Sequence, residues 1–153
     1  ILRARGPIGR FCYDPEHDHK HLIMIAGGSG VTPFISILRE YAPKLGTPES
    51  PDRLSLIVSY KTSNDLICWR EILTAKSYPG VNVITTLSRE VKTDQGFWHG
   101  RLDDVKLSKA IEDNYQTATF MTCGPKELMA LTVQHLRSKG VPEDHIKQES
   151  FDS

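Results

Sequence analysis

Cysteine is scarce in this sequence, long apolar runs are missing, and neither sign of charge is in excess. Each shortage excludes a class of function. The three cysteines, Cys12, Cys68 and Cys123, lie far apart with no C-x-x-C pair, so the usual ligand spacings of a zinc site or iron–sulfur cluster are missing. An odd, low count suits a reducing cytosol rather than a disulfide framework. The longest apolar runs, LIMIA and LSLIV, are far short of the ~20 residues that span a bilayer. The opening ILRARGPIGRF lacks the long apolar core of a secretory signal, and a cytoplasmic location is the expectation. Nineteen Lys and Arg balance nineteen Asp and Glu, so no electrostatic footprint points to nucleic acid or to an anionic membrane. His17, His19 and His21 in EHDHKH stand at i, i+2, i+4 before a strand. That spacing reads as a polar, solvated loop, and no metal site is expected there.

What is present is enough for one domain with a real core: 153 residues of ordinary globular composition. Five short runs read as strands, at 22–26, 54–60, 81–87, 118–122 and 145–151. Between them, apolar residues recur at helical spacing: Phe34, Ile37, Leu38, Tyr41 and Leu45; then Leu66, Trp69, Ile72 and Leu73, with Asn64 or Asp65 available as a cap. Leu128, Met129, Val133 and Leu136 mark a last helix, ended by Gly140 and Pro142. A shorter helix is expected around 102–113, and the Gly-, Pro- and Ser-rich stretch 46–53 reads as a surface connection. Continuously apolar strands alternating with helices predict an α/β fold, a three-layer doubly wound parallel sheet of about five strands. Such sheets bind ligands beyond the carboxyl ends of their strands, which directs attention to the residues just after 26, 60, 87 and 122.

The first of these places holds AGGSGVTP (26–33). Gly27, Gly28 and Gly30 permit positive φ and close approach of a ligand to backbone. Thr32 reads as an N-cap and Pro33 as the first helical residue, so free N–H groups and a positive helix end make an anion site. No Lys follows as in a P-loop, and Pro33 stands where the Rossmann G-x-G-x-x-G pattern needs its third glycine. A tight strand-to-helix turn that needs glycine for sterics alone is the competing explanation; three glycines and a capped helix start favour a pyrophosphate. After the third strand, LSRE offers the Ser88 hydroxyl and the Arg89 fork for a phosphate monoester, or alternatively a solvated Arg89 paired with Glu90. After the fourth, TCGPKE places Cys123 at a strand end. A lone Cys there is ordinarily a small buried hydrophobe, and no base is placed to activate it. A cysteine-nucleophile hydrolase is unsupported, and a phosphate-binding hydrolase or transferase lacks the Lys, paired carboxylates or metal cluster it would need.

Taken together, these positions resemble the ferredoxin–NADP reductase family, in its C-terminal pyridine-nucleotide-binding domain, and the matches run in the family's order over essentially the whole chain. GPIGRF (6–11) resembles the G-P-x-G-x-F that closes the family's flavin-binding barrel, and AGGSGVTPFISILRE its G-G-x-G-x-[TA]-P loop and helix. SYKTSNDLICWREIL is similar to its second strand and D-L-x-x-x-x-E-L helix. LSRE and CGP match its third and fourth strand ends, and QESF its terminal E-x-F. The resemblance implies hydride transfer between NADPH or NADH and FAD. From the flavin, electrons would pass singly to a ferredoxin-type iron–sulfur protein, an oxygenase or a haem.

By position, the resemblance has Gly27, Gly28, Gly30, Val31 and Thr32 hold the pyrophosphate, with Pro33 opening the helix beneath. Cys123, Gly124 and Pro125 would lie under the nicotinamide and its ribose. Ser88 and Arg89 match the pair that binds the adenosine 2′-phosphate, favouring NADPH; Asp65 matches an acid that NADH-preferring members place on the adenine ribose, unless it is a helix cap. The balance favours NADPH. Glu149 and Phe151 would stand near the nicotinamide–flavin contact, unless Phe151 serves core packing instead. The R-x-Y-[ST] flavin signature is missing, so residues 1–12 read as the end of a flavin-binding barrel and 13–153 as the NAD(P)-binding domain of a larger flavoprotein. FAD would then be bound mainly by an N-terminal partner domain. A non-catalytic nucleotide sensor of the same fold is the alternative.

Overall fold

A computed structural model describes residues 11–92 and 96–150. Its centre is β1 (His21–Gly27), in which all seven residues are buried. A strand sealed on both faces can be apolar throughout, and that is why HLIMIAG carries no alternation. The same holds for β5 (Ala118–Gly124). With β2 (Arg53–Tyr60), β3 (Val81–Leu87), β4 (Trp98–His99) and β6 (Ile146–Ser150) they form one sheet in the order β4-β3-β2-β1-β5-β6, and every pairing is parallel.

Alternate side chains divide between two cores. Leu22, Met24, Ala26, Leu54, Leu56 and Met121 pack with Phe34, Leu38 and Ile72, which come from α1 (Thr32–Tyr41) and α2 (Trp69–Lys76). Ile23, Ile25, Ile57 and Phe120 pack on the other face with Leu107, Ile111 and Leu136, from α3 (Asp104–Ile111) and α4 (Lys126–Ser138). The result is the three-layer, doubly wound α/β architecture read from the sequence. The chain builds outward from β1 through β2 and β3, then returns to place β5 on the other side of β1. The switch point therefore lies at the carboxyl ends of β1 and β5.

Several boundaries differ from the sequence reading. The sheet has a sixth strand: β4 pairs only Thr86 with Trp98 and Leu87 with His99, and two residues carry no readable periodicity. Strand β6 starts at Ile146, because His145 closes a 3-10 turn (Glu143–His145); Phe151 lies outside the described residues. Leu45 falls beyond α1, which passes into a 3-10 turn containing Pro43. Leu66 precedes α2, since Cys68 takes a left-handed conformation (φ 60°) as the residue before its first turn. Asn64 and Asp65 belong instead to a separate 3-10 turn capped by Thr62. Leu73 is exposed.

The segment leading into β1 is tied to the far edge of the sheet. Lys147 Nζ on β6 lies 2.5 Å from Asp18 Oδ2 and donates to the Cys12 carbonyl at 2.7 Å. The Asp18 side chain is almost wholly buried and also accepts from the Asp14 N–H.

At the amino end of β1, His21 is buried with Nε2 2.9 Å from Ser55 Oγ and Nδ1 without a partner. Burial, helped by the Arg53 charge, lowers its pKa to about 4. The unfolded chain therefore takes up a proton near pH 6.5 that the folded one refuses until about pH 4. Stability is expected to fall as pH drops through that window, by up to about 3 kcal/mol from this group. Urea midpoints at pH 7 and pH 4.5 test it: His21→Phe should narrow the gap between them, and an unchanged gap would contradict the assignment.

Candidate functional site

The head of the site is made where β1 ends. Gly27 is extended (φ −130°, ψ 129°), and Gly28 turns the chain with φ +55° into a 3-10 turn (Gly28–Val31) that runs directly into α1. Of the three loop glycines only Gly28 takes positive φ, and a Cβ there would meet nothing. Gly30 is demanded by packing against backbone instead, whereas around Gly27 the nearest atoms are side-chain ones. A Cβ on Gly27 would stand 2.6 Å from Leu128 Cδ2. One on Gly30 would overlap the Cys123 carbonyl and lie 2.7 Å from Gly124 Cα. Gly124 (φ +149°) answers from β5, where a Cβ would come within 3.0 Å of the Gly27 nitrogen. The turns after β1 and β5 thus interlock backbone to backbone.

The helix start differs in detail from the sequence reading. Thr32 is the first residue of α1 rather than its N-cap: its hydroxyl donates to the Ser29 carbonyl at 2.9 Å, and Pro33 is the second helical residue. The 3-10 turn has taken over the start, and no side chain caps it. Its leading N–H groups remain available to an anion.

This turn opens into a cleft of about 780 Å³, within the size range of ligand sites. Four strand ends converge on it: Gly27, Gly28 and Ser29 after β1, Ser59 to Lys61 at the end of β2, Ser88 after β3, and Pro125 after β5. Asp65 lines it too, with its carboxylate accepting from the Thr62 N–H (3.2 Å) and hydroxyl (2.9 Å) as part of a capping box. Asp65 thus belongs to the capping box of its own 3-10 turn rather than capping α2, and it also lines the cleft. Arg89 is exposed next to Ser88, outside the lining itself; their N–H groups donate to the Lys61 and Tyr60 carbonyls at 2.8 Å, prolonging the ladder. Glu90 is not its counter-ion, because its carboxylate accepts from the Ser63 N–H (2.7 Å) and hydroxyl (3.1 Å).

Cys123 is fully buried, opposite Ala26 on one side and Glu149 on the other. Burial, and then the Glu149 charge, push its thiol up to about 11. It is neutral at neutral pH and packs in the core on the α1 side of the sheet, so it is no nucleophile. Val31 is buried beneath the turn, and Glu149 is exposed on β6. The three N-terminal histidines go to separate partners: His17 to Asp14, His19 stacked on His145, His21 to Ser55.

Sequence reasoning missed several lining residues. Lys61 stands directly after a strand end already under suspicion, so its signal was available. Ile67 follows the 3-10 turn, and Tyr60 OH holds its carbonyl at 2.7 Å. Arg101, Leu102 and Asp103, with Glu127, Leu128 and Leu131, form the remaining walls. No local pattern marks them, because the short β4 and the docking of α4 put them there.

The interlock separates the glycines by experiment. Gly30→Ala should destabilise the chain by more than about 2 kcal/mol, since its Cβ meets backbone that cannot repack. Gly28→Ala should cost only the left-handed φ, about 1–2 kcal/mol. Urea denaturation of both variants measures this, and equal losses would contradict the interlock.

Among the described residues no helix is long and apolar enough to cross a membrane. The family model of the oxidoreductase NAD-binding domain matches residues 24–134. NADH-cytochrome b5 reductase 1 of Cryptococcus neoformans is 29% identical over 154 residues, covering 92% of this chain and 49% of its own length. A flavohemoprotein of Oceanobacillus iheyensis is 28% identical over 153 residues, covering 99% and 36%. The chain thus spans less than half of each of these relatives. Among solved structures, the flavohem-like FAD/NAD-binding domain of nitric oxide dioxygenase from Vibrio cholerae superimposes with a TM-score of 0.77 at 21% identity, over 94% of this chain and 55% of that one. With its parallel sheet, glycine interlock and cleft at the switch point, this chain belongs to the family of oxidoreductase NAD-binding domains, of the ferredoxin-reductase type.

Proposed function

We propose that this chain binds NAD(P)H, with NADPH preferred, and presents its nicotinamide to an FAD held mainly by a preceding domain of a longer flavoprotein reductase. The observation that carries the reading is the Cβ-free interlock at the head of the cleft. It leaves Gly28 and Ser29 lining a site at an uncapped helix start, where a pyrophosphate finds N–H donors and a positive helix end. When bound, the nucleotide supplies a hydride, and the flavin divides the electron pair for an iron–sulfur, haem or other acceptor.

The chain's own residues bind and orient. The Gly28 and Ser29 N–H groups take the pyrophosphate, with Gly27 and Gly30 drawing the turn close and Val31, Thr32 and Pro33 anchoring it to α1. Gly124 and Pro125, with neutral Cys123 beneath, form the floor for the nicotinamide and its ribose, and Glu149 is assigned to the flavin side. Ser88 and Arg89, helped by Lys61, take the adenosine 2′-phosphate through charge-assisted hydrogen bonds. Asp65 opposes that phosphate, but its carboxylate is already engaged by two Thr62 donors. A second reading, preference for NADH, is favoured by Asp65 lining the cleft, where it would accept from a ribose hydroxyl. The NADH in the name of the Cryptococcus relative agrees with that second reading.

Calorimetric titration with NADP⁺ and NAD⁺ decides. Arg89→Ala should weaken NADP⁺ by roughly 1–3 kcal/mol and leave NAD⁺ almost unchanged. Equal losses, or tighter NAD⁺ than NADP⁺ binding by the parent chain, would sink the NADPH preference. Binding of neither nucleotide would sink the whole reading. A nucleotide sensor, by contrast, would bind without reducing FAD when joined to its neighbouring sequence.

A further inference from the structure

We infer that His135 is a positioning residue that sets the width of this cleft, acting through Asp104 and Tyr115; the inference rests on the nucleotide-binding reading above. Two walls of the cleft come from the residues leading into α3 (Arg101, Leu102, Asp103) and from the first turns of α4 (Glu127, Leu128, Leu131). Behind them, the same two helices enclose a second hollow of about 350 Å³, lined by Asp104, His135 and Lys139 among others. Leu131 lines both hollows, and Asp103 and Asp104 stand back to back between them.

His135 is buried, 3% exposed. Its Nδ1 lies 2.8 Å from Asp104 Oδ1 and its Nε2 2.8 Å from the Tyr115 hydroxyl. With the hydroxyl donating to Nε2, the ring's proton sits on Nδ1 and donates to the carboxylate, so both nitrogens are used. Asp104 is the first residue of α3, and Tyr115 follows its last turn. One imidazole on α4 therefore ties both ends of α3. Leu107 and Ile111 also pack on Leu136, apolar contact that is not directional, and past Tyr115 the Gln116 side chain donates to the Lys139 and Gly140 carbonyls at 3.3 and 3.1 Å. At the start of α3, the end that carries the cleft wall, the Asp104 bond is a directional tie to α4, and with the Tyr115 bond it helps set how α3 sits along α4, and so where the opposing walls stand. Burial does not hold Asp104 in place, since its side chain is 71% exposed.

Asp104 is not a cleft residue, so an effect on ligand affinity must travel through the bond. Asp104→Ala and Tyr115→Phe should each weaken NADP⁺ binding about three- to tenfold, the size of one lost hydrogen bond. Asp104→Asn keeps Oδ1 as an acceptor and should stay within about twofold of the parent. Titration of the chain and these three variants is the test, with melting temperatures checking that each is folded. Parent-like affinity in both Asp104→Ala and Tyr115→Phe overturns the inference. So does an equal loss in Asp104→Asn, which would assign the effect to charge at the start of α3. A parent chain that binds neither nucleotide removes the functional reading and this inference together, whereas binding unaffected by the variants removes this inference alone.

Discussion

The arrangement depends on one contact, the seating of the turn after β1 against the turn after β5. Gly30 rests on the Cys123–Gly124 backbone, and Gly124 on that of Gly27. No side chain fits between them. Because the two strands are neighbours at the switch point, their closure decides where α1 and α4 begin, and thus where uncapped N–H groups face open space. The structure shows the steric reason for Gly30 and Gly124, and the same packing leaves the helix start uncapped, where the proposed pyrophosphate would bind. Gly28 alone bends the chain, while its neighbours bring backbone within reach of backbone.

Around that head the cleft mixes charge. Lys61 and Arg101 face it together with Asp65, Asp103 and Glu127. The acids are not idle: Asp65 closes a capping box, and Asp103 caps α3 by accepting from the Lys106 N–H at 2.9 Å. Carboxylates occupied by local donors repel a phosphate less than free ones do, and so a cation-lined rim can coexist with them. Cys123 contributes no charge, because burial keeps its thiol protonated. A buried, protonated thiol of this kind is not poised for covalent chemistry.

Much of the fold was legible. Buried strands such as LIMIA and LSLIV must be covered on both sides, and the helical stripes supply the covers; those two facts yield a three-layer parallel sheet. What escaped was short or set by turns. Strand β4 is two residues long. Cys68 in a left-handed conformation delays α2, and a 3-10 turn displaces Thr32 from the cap position its sequence suggests. The loop, Ser88 and Pro125 lay where the strand-end rule pointed. Arg89 lies beside the cleft rather than in it, and Phe151 falls outside the described residues.

By itself the sequence determined the class of sheet, the strand ends on which a ligand site would form, and the glycine turn at its head. It could do so because periodicity, burial and backbone freedom are local properties of the chain. Only the tertiary structure decided the rest: that Gly30 and Gly124 serve each other, that Glu90 goes to Ser63 and not to Arg89, and that Arg101 and Leu131 face the same space. Those pairings join residues far apart in the chain. They are fixed by how β4 returns to the sheet edge and how α3 and α4 lie across it, and no local pattern encodes that geometry.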